Sequence, residues 1–336
     1  HGLHGRPAAG QDLPADLGRR PAAGGSWPAL SLFSGAGLSD TGYSAAGFKF
    51  AVQAELGVPF LAPTVLVSYP DTPQSQVALQ VTREALSIAP SAWATIAGDH
   101  QFWSAGAELD AHVGALDQTQ PAGWLLVVGR SDNAMPPGAT ADEVFGLMRT
   151  TFALSQDRPV RVAFGDLAAL PAVAAGAEAV GTGWDMRQRL CAYQDFETRA
   201  ADPGGGGWYQ RPTLEGLLGS ITANDYKVLS SEDAALASRL TPGTIGPQPE
   251  QAFRQHARVL SGVIAQLRTM SDRARVEALL SRLTQAETAV LEKLASGLSP
   301  AMIAETNRIK PSTVRTHIRN LLSKTGASGL RELTAR

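Results

Sequence analysis

Three groups of residues have types and spacings that could do chemistry. The first is a strand-like run, Ser31-Leu32-Phe33, leading into Ser34-Gly35-Ala36-Gly37 and a helix start. Glycines there let the backbone approach a ligand closely, and the free amides of a helix's first turn favour anions and polar groups. Glu55, ending the next strand candidate, is placed for ribose hydroxyls. Phe33, Ser34, Gly35, Gly37 and Glu55 are therefore ligand candidates, with a tight glycine turn as the plainer reading. The second group follows strand-like runs further along: Asp71, Asp99-His100, Gly129-Arg130-Ser131-Asp132, Gly165-Asp166 and Gly181-Thr182-Gly183. Carboxylates and an imidazole in such places can move protons, and a Gly-Thr-Gly turn can hold a phosphate or polar ligand. Asp166, Gly181 and Gly183 are the ligand candidates here, weighed against ordinary strand-end caps. The third group is Ser312, Thr313, Arg315, Thr316, Arg319 and Lys324 near the C-terminus. Hydroxyls and cations at helical spacing suit base edges and phosphates.

The elements that must position these groups alternate. Strand-like runs occur at Thr64–Tyr69, Trp93–Ala97, Trp124–Val128, Val160–Phe164 and Ala179–Gly181, with helix-like stretches at Ser75–Ser87, Glu108–Leu116, Ala141–Leu154 and Leu167–Ala175 between them. Such alternation predicts a parallel sheet with crossover helices, whose C-terminal strand ends collect binding sites. Upstream, Ala29–Phe33 and Phe48–Ala54 are further strand candidates around a helix at Ser39–Ala46. Residues 250–282 predict one long amphipathic helix or two shorter ones, with Val259, Ile264, Leu267, Met270, Val276, Leu279 and Leu280 as apolar positions.

Length and charge sharpen the division. At about 100–200 residues per domain, 336 residues imply two or three domains. The net charge of −2 conceals an asymmetry. Residues 283–336 hold eight Lys and Arg against four Glu, or +4, which leaves −6 for residues 1–282. A basic terminal module on an acidic body is a nucleic-acid footprint. Cys191, the single cysteine, excludes an intrachain disulfide and a Cys-rich zinc site and fits a reducing cytoplasm. No metal site is expected. No apolar run approaches the ~20 residues that span a bilayer, so no membrane partner is expected either.

Within the basic module the helix signals are dense. Thr284 with Glu287 forms a capping box, Val290, Leu291 and Leu294 make an apolar stripe, and Gly297 stops the helix. Ser299 can cap a short second helix burying Ile303 and Ala304. A third helix from Pro311 or Ser312 to about Thr325 puts Val314, Ile318, Leu321 and Leu322 on one face, with the polar and basic residues elsewhere. Helix, short helix, turn and a longer basic helix is a helix-turn-helix arrangement whose third helix enters the major groove.

This segment resembles the LuxR-type DNA-binding module of transcription regulators. Leu283-Thr284, Glu287, Val290-Leu291, Leu294-Ala295, Gly297-Leu298-Ser299, Ile303-Ala304, Thr313-Val314-Arg315, His317, Asn320, Lys324 and Gly326 carry the likeness. The resemblance implies DNA contacts from Thr313, Arg315, Thr316, Arg319 and Lys324. The glycine loop, with Gly42, Ala46-Gly47-Phe48 and Glu55, resembles the first motif of DNA cytosine-5 methyltransferases, which implies S-adenosylmethionine as a ligand. The catalytic Pro-Cys pair of that family is absent, since Cys191 follows Leu190, so methyl transfer to cytosine is not expected. Residues 160–184 loosely resemble the end of a TIM-type barrel of the tRNA-guanine transglycosylase kind.

The combined reading is an α/β body, a parallel sheet with crossover helices whose finer alternative is part of a TIM-type barrel, followed by an all-α helix-turn-helix domain. Its segments are a disordered leader at 1–27, a Gly-loop βαβ segment at 28–57 and an α/β domain at 58–200. An irregular region at 201–249, a connecting helix at 250–282 and the reader domain at 283–336 follow. The expected function is sequence-specific DNA-binding transcriptional regulation in the cytoplasm, with double-stranded DNA as partner and a body that senses a small-molecule ligand or a partner. No cofactor is required, and a homodimer through the connecting helix is expected. The rival reading is a degenerate base-modifying enzyme, methyltransferase- or transglycosylase-like, targeted by the same helix-turn-helix.

Overall fold

The computed structural model describes residues 29–30, 50, 53–54, 59–131, 139–183, 189–192, 212–215, 218–220, 223–232, 234–241, 249–281, 299, 301–302, 305, 314 and 318. The chain divides into two compact units: His1–Thr182 with Arg187–Pro203, and Gly183–Met186 with Gly204–Arg336.

In unit 1 the described elements are β1 (Ala29–Leu30), β2 (Thr64–Val65), α1 (Pro73–Ile88), β3 (Ala94–Gly98), α2 (His100–Trp103), α3 (Ala107–Asp117), β4 (Trp124–Arg130), α4 (Ala141–Ser155), β5 (Val160–Ala163), a 3-10 turn (Asp166–Ala169), α5 (Leu170–Ala174), β6 (Ala179–Val180) and β7 (Cys191–Ala192). Strands β3, β4, β5 and β6 are neighbours in chain order, and all three pairings are parallel. The chain before α1 extends this order, with parallel bridges from Leu61 to Trp93 and from Val67 to Gly98. The expected parallel sheet with crossover helices is therefore observed. From β3 to β6 the order never reverses, a winding shared by singly wound open sheets and βα barrels. β7 joins the end of β4 with Cys191 opposite Gly129, while β1 pairs antiparallel with β2.

The pleat sorts the strand residues. Ala94, Ile96, Trp124, Leu126, Val160 and Val162 share one core with Leu79 of α1, Leu109, Val113 and Leu116 of α3, Leu147 and Leu154 of α4, and Ala172 of α5. That face is covered by the crossover helices. The intervening residues Ala97 and Val127 point the other way and join Leu66 and Cys191 in a second cluster, with Ala163 and Phe164 against it.

Local signals explain the helix boundaries. Thr72 caps α1 reciprocally with Ser75, and Pro73 occupies the first turn. Asp99 caps α2 through the amides of Gln101 and Phe102, and Thr140 caps α4 through the amide of Glu143. Close packing needs a missing side chain at one point: a Cβ on Gly146 of α4 would lie 1.9 Å from the Trp103 carbonyl oxygen. The fully buried Trp103 indole Nε1 donates to Gly98 O at 2.9 Å and Val127 O at 3.3 Å, fixing α2 at the strand ends.

Two local expectations are corrected. Phe50 and Gln53–Ala54 are helical where a strand is read from Phe48–Ala54. The three-residue spacing buries Phe50 against Ala85, Leu86 and Phe60. It also lets the buried Gln53 amide bond both backbone groups of Leu61, donating at 3.2 Å and accepting at 2.6 Å. The stretch at Leu167–Ala175 starts as a 3-10 turn and becomes α-helical only at Leu170, because Asp166 enters it at φ +47°.

Unit 2 holds a hairpin of β8 (Thr213–Leu214) and β9 (Gly219–Ser220), then α6 (Ala223–Glu232), α7 (Ala234–Leu240), α8 (Pro249–Arg268) and a helix over 272–281. Of the two alternatives for 250–282, two helices are present, broken at 269–271. Val259, Leu260, Val263 and Leu267 bury the apolar face of α8. Its Gln255 amide mimics a strand partner, accepting from Thr213 N at 2.9 Å and donating to Thr213 O at 2.7 Å. The buried His256 Nδ1 lies 2.7 Å from Thr213 Oγ1.

Burial of an imidazole gives this fold a pH dependence. His112 in α3 packs edge-on against Phe102, and burial pushes its imidazole down from 6.5 to about 4. The unfolded chain binds the proton first, so the stabilising effect is complete above pH 6.5. It is lost as the pH falls from 6.5 to about 4, with a ceiling of about 3 kcal/mol. Urea unfolding across this range should show the wild type losing stability relative to His112→Phe, with no further divergence below pH 4.

Candidate functional site

Parallel strands in unreversed order deliver their C-terminal ends to one edge of unit 1. Asp99 and His100 follow β3, Arg130 ends β4, Gly165 and Asp166 follow β5, and Gly181 follows β6. The structure thus brings Asp166 and Gly181 together. The Gly181 carbonyl accepts from the amides of Gly165 at 3.0 Å and Asp166 at 3.2 Å, and its own amide donates to Val162 O at 2.7 Å. Gly183 is buried and belongs to unit 2. Phe33, Ser34, Gly35, Gly37 and Glu55 lie outside the described residues.

Two buried ion pairs occupy this edge. Asp166 is 3% exposed and meets Arg189, 1% exposed, with Nη1 3.1 Å from Oδ2. Its Oδ1 accepts from the Leu167 amide at 2.7 Å. The loop that presents it is strained, since Phe164 and Asp166 both have positive φ, +53° and +47°. Such strain needs surrounding structure to hold it and gathers at functional sites. Arg189, which sequence reasoning did not single out, reaches this loop from the segment leading into β7.

The second pair is Glu143 with Arg130. The Arg130 guanidinium grips the Glu143 carboxylate through both oxygens, Nη2 to Oε1 at 2.5 Å and Nη1 to Oε2 at 2.9 Å. His100 adds Nδ1 at 3.1 Å from Oε2. The Glu143 and Arg130 side chains are 3% and 12% exposed, whereas that of His100 is 53% exposed. The strand-end position of His100 is legible in the sequence; its partner is not.

In the C-terminal segment, Ser312, Thr313, Arg315, Thr316, Arg319 and Lys324 also lie outside the described residues. The described ones follow the expected pattern. Ser299 Oγ accepts from the Met302 amide at 3.2 Å, the expected cap of the short helix, in which Ala301 and Met302 are helical. Val314 and Ile318, one helical turn apart, are helical and buried.

A capped short helix followed by helical, buried Val314 and Ile318 fits the pattern of a helix-turn-helix DNA-binding domain. Residues 281–336 match the family described as "Bacterial regulatory proteins, luxR family", so the C-terminal segment carries a LuxR-type helix-turn-helix domain. No curated protein matches the chain. No solved structure matches it either. Among the described residues no helix is long and apolar enough to cross a membrane.

The buried pair at Asp166 makes a sharp prediction. Arg189→Met strands a carboxylate in the interior and should cost about 3–5 kcal/mol in urea unfolding. Adding Asp166→Asn, which tolerates the left-handed backbone, should recover at least half of that loss. A double variant no more stable than the single one would show that the pairing is not what holds the loop.

Proposed function

We propose that the chain is a sequence-specific DNA-binding transcriptional regulator whose α/β unit senses a small ligand. The observation that carries this reading is the LuxR-family match over residues 281–336. The +4 charge of residues 283–336 supports it. With Val314 and Ile318 facing the interior, a helical period of about 100° per residue predicts Ser312, Thr316 and Arg319 on the far side. In this reading Ser312, Thr313 and Thr316 approach base edges, while Arg315, Arg319 and Lys324 hold phosphates.

The sensing role rests on the strand-end edge, where Asp166 and Gly181 share a strained, hydrogen-bonded loop. The unreversed winding from β3 to β6 supports the finer reading of unit 1 as part of a TIM-type barrel, in which strand ends carry the ligand. Cytoplasmic residence fits one buried free cysteine and a DNA target. A homodimer would match readers that bind two half-sites.

Filter binding of the full chain to a promoter-fragment pool tests the proposal. Log affinity should fall linearly with log salt, by about 0.9 per phosphate contact, and Lys324→Ala should make that slope shallower by about 1. Salt-independent binding, or no binding to any fragment, would overturn it.

The second reading, a methyltransferase-derived body, is favoured by one motif, Phe33–Gly37 with Glu55. Calorimetry decides it. Binding of S-adenosylmethionine that is abolished in Glu55→Ala would support that origin, whereas an absence of heat would leave the first reading alone.

A further inference from the structure

The Arg130–Glu143–His100 chain differs from the Asp166 pair in one respect: it ends in solvent. Glu143 is clamped by a guanidinium on both oxygens, so its carboxylate is an acceptor only. The nitrogen 3.1 Å from Oε2 must then be the proton-bearing one in the neutral ring, which makes His100 the Nδ1–H tautomer. Nε2 is left with its lone pair free to accept a proton, on a side chain that is half exposed. The backbone that carries the ring is fixed on both sides. Asp99 caps the turn that carries it, and Trp103, three residues on, is locked to Gly98 and Val127. A solvent-facing imidazole oriented by a buried carboxylate is the arrangement of a general base.

We propose that unit 1 carries a hydrolytic site in which His100 Nε2 deprotonates an attacking water, and that its substrates are small acyl compounds with a good leaving group. A single imidazole base suffices for such substrates because the leaving group needs no protonation. The water oxygen bonds to the acyl carbon as its proton passes to Nε2. The tetrahedral adduct collapses, the bond to the leaving group breaks with its electron pair, and the imidazolium returns its proton to solvent. Arg130 and Glu143 are positioning residues that fix the tautomer and the ring plane. The site rests on the same strand-end edge as the ligand-sensing reading, but it is independent of DNA binding.

The full chain is assayed with p-nitrophenyl acetate, and the His100 ring is followed by nitrogen NMR. The ring spectrum should show Nδ1 protonated and Nε2 bare. The hydrolysis rate should rise with pH to a plateau, and His100→Gln should lower it about a hundredfold while promoter binding is unchanged. A proton on Nε2 in the neutral ring, a wild-type rate in His100→Gln, or a rate that does not change with pH would each overturn the proposal. Because promoter binding is read in the same samples, failure of the hydrolytic site and failure of the regulator reading are distinguishable.

Discussion

Parallel pairing between successive strands imposes the constraint from which the rest of unit 1 follows. A parallel partner cannot be reached by a hairpin, so the chain must return along the sheet between each pair of strands. Here α1, α3, α4 and the short α5 make those returns, and their apolar faces meet one face of the sheet in a continuous core. Each strand then starts at the same edge and ends at the opposite one. The end residues belong to the turns where the chain leaves the sheet, and there polar groups are tolerated. That is why Asp99, His100, Arg130 and Asp166, far apart in sequence, share an edge, while the strand interiors are Val, Leu, Ile and Ala.

Among the described residues, both buried carboxylates at that edge have a cation partner. Asp166 faces Arg189, and Glu143 faces Arg130; both carboxylates are 2–3% exposed. Removing a carboxylate from water is costly unless a cation and hydrogen bonds replace the solvent. The two pairs differ in what lies beyond them. Asp166 spends its second oxygen on the Leu167 amide of its own turn, so the pair fixes a strained loop. Glu143 spends part of its Oε2 on His100, so the pair fixes a side chain that points to solvent.

What the sequence made legible follows from how far each signal reaches. Strand–helix alternation, helix caps and apolar periods are local, and they located β3 to β6, α1, α3 and α4 to within about two residues. Ser299 as a cap and Val314 with Ile318 as a buried pair were legible for the same reason. Signals that span many residues were not. Thr140 and Glu143 have the spacing of a capping box, and Thr140 does cap Glu143. The Glu143 carboxylate, however, turns to Arg130 and His100, 13 and 43 residues upstream. Gln53 reads as a strand residue until its amide is seen bonding Leu61. Arg189 became a site residue only because β7 folds back onto the end of β4.

Unit 2 shows how a polar side chain can replace a missing strand. The β8–β9 hairpin is two residues deep, too short to hold itself by backbone bonds alone. Gln255 supplies a donor and an acceptor to Thr213 at the spacing of a backbone amide, and His256 engages the Thr213 hydroxyl. Both side chains come from the same turn of α8, whose next turns bury Val259, Leu260 and Val263. The hairpin therefore forms only where α8 is already helical, and α8 gains its polar anchor only where the hairpin is formed. This mutual dependence couples the hairpin to α8. A helix of alternating apolar and charged residues would otherwise be free to pair elsewhere.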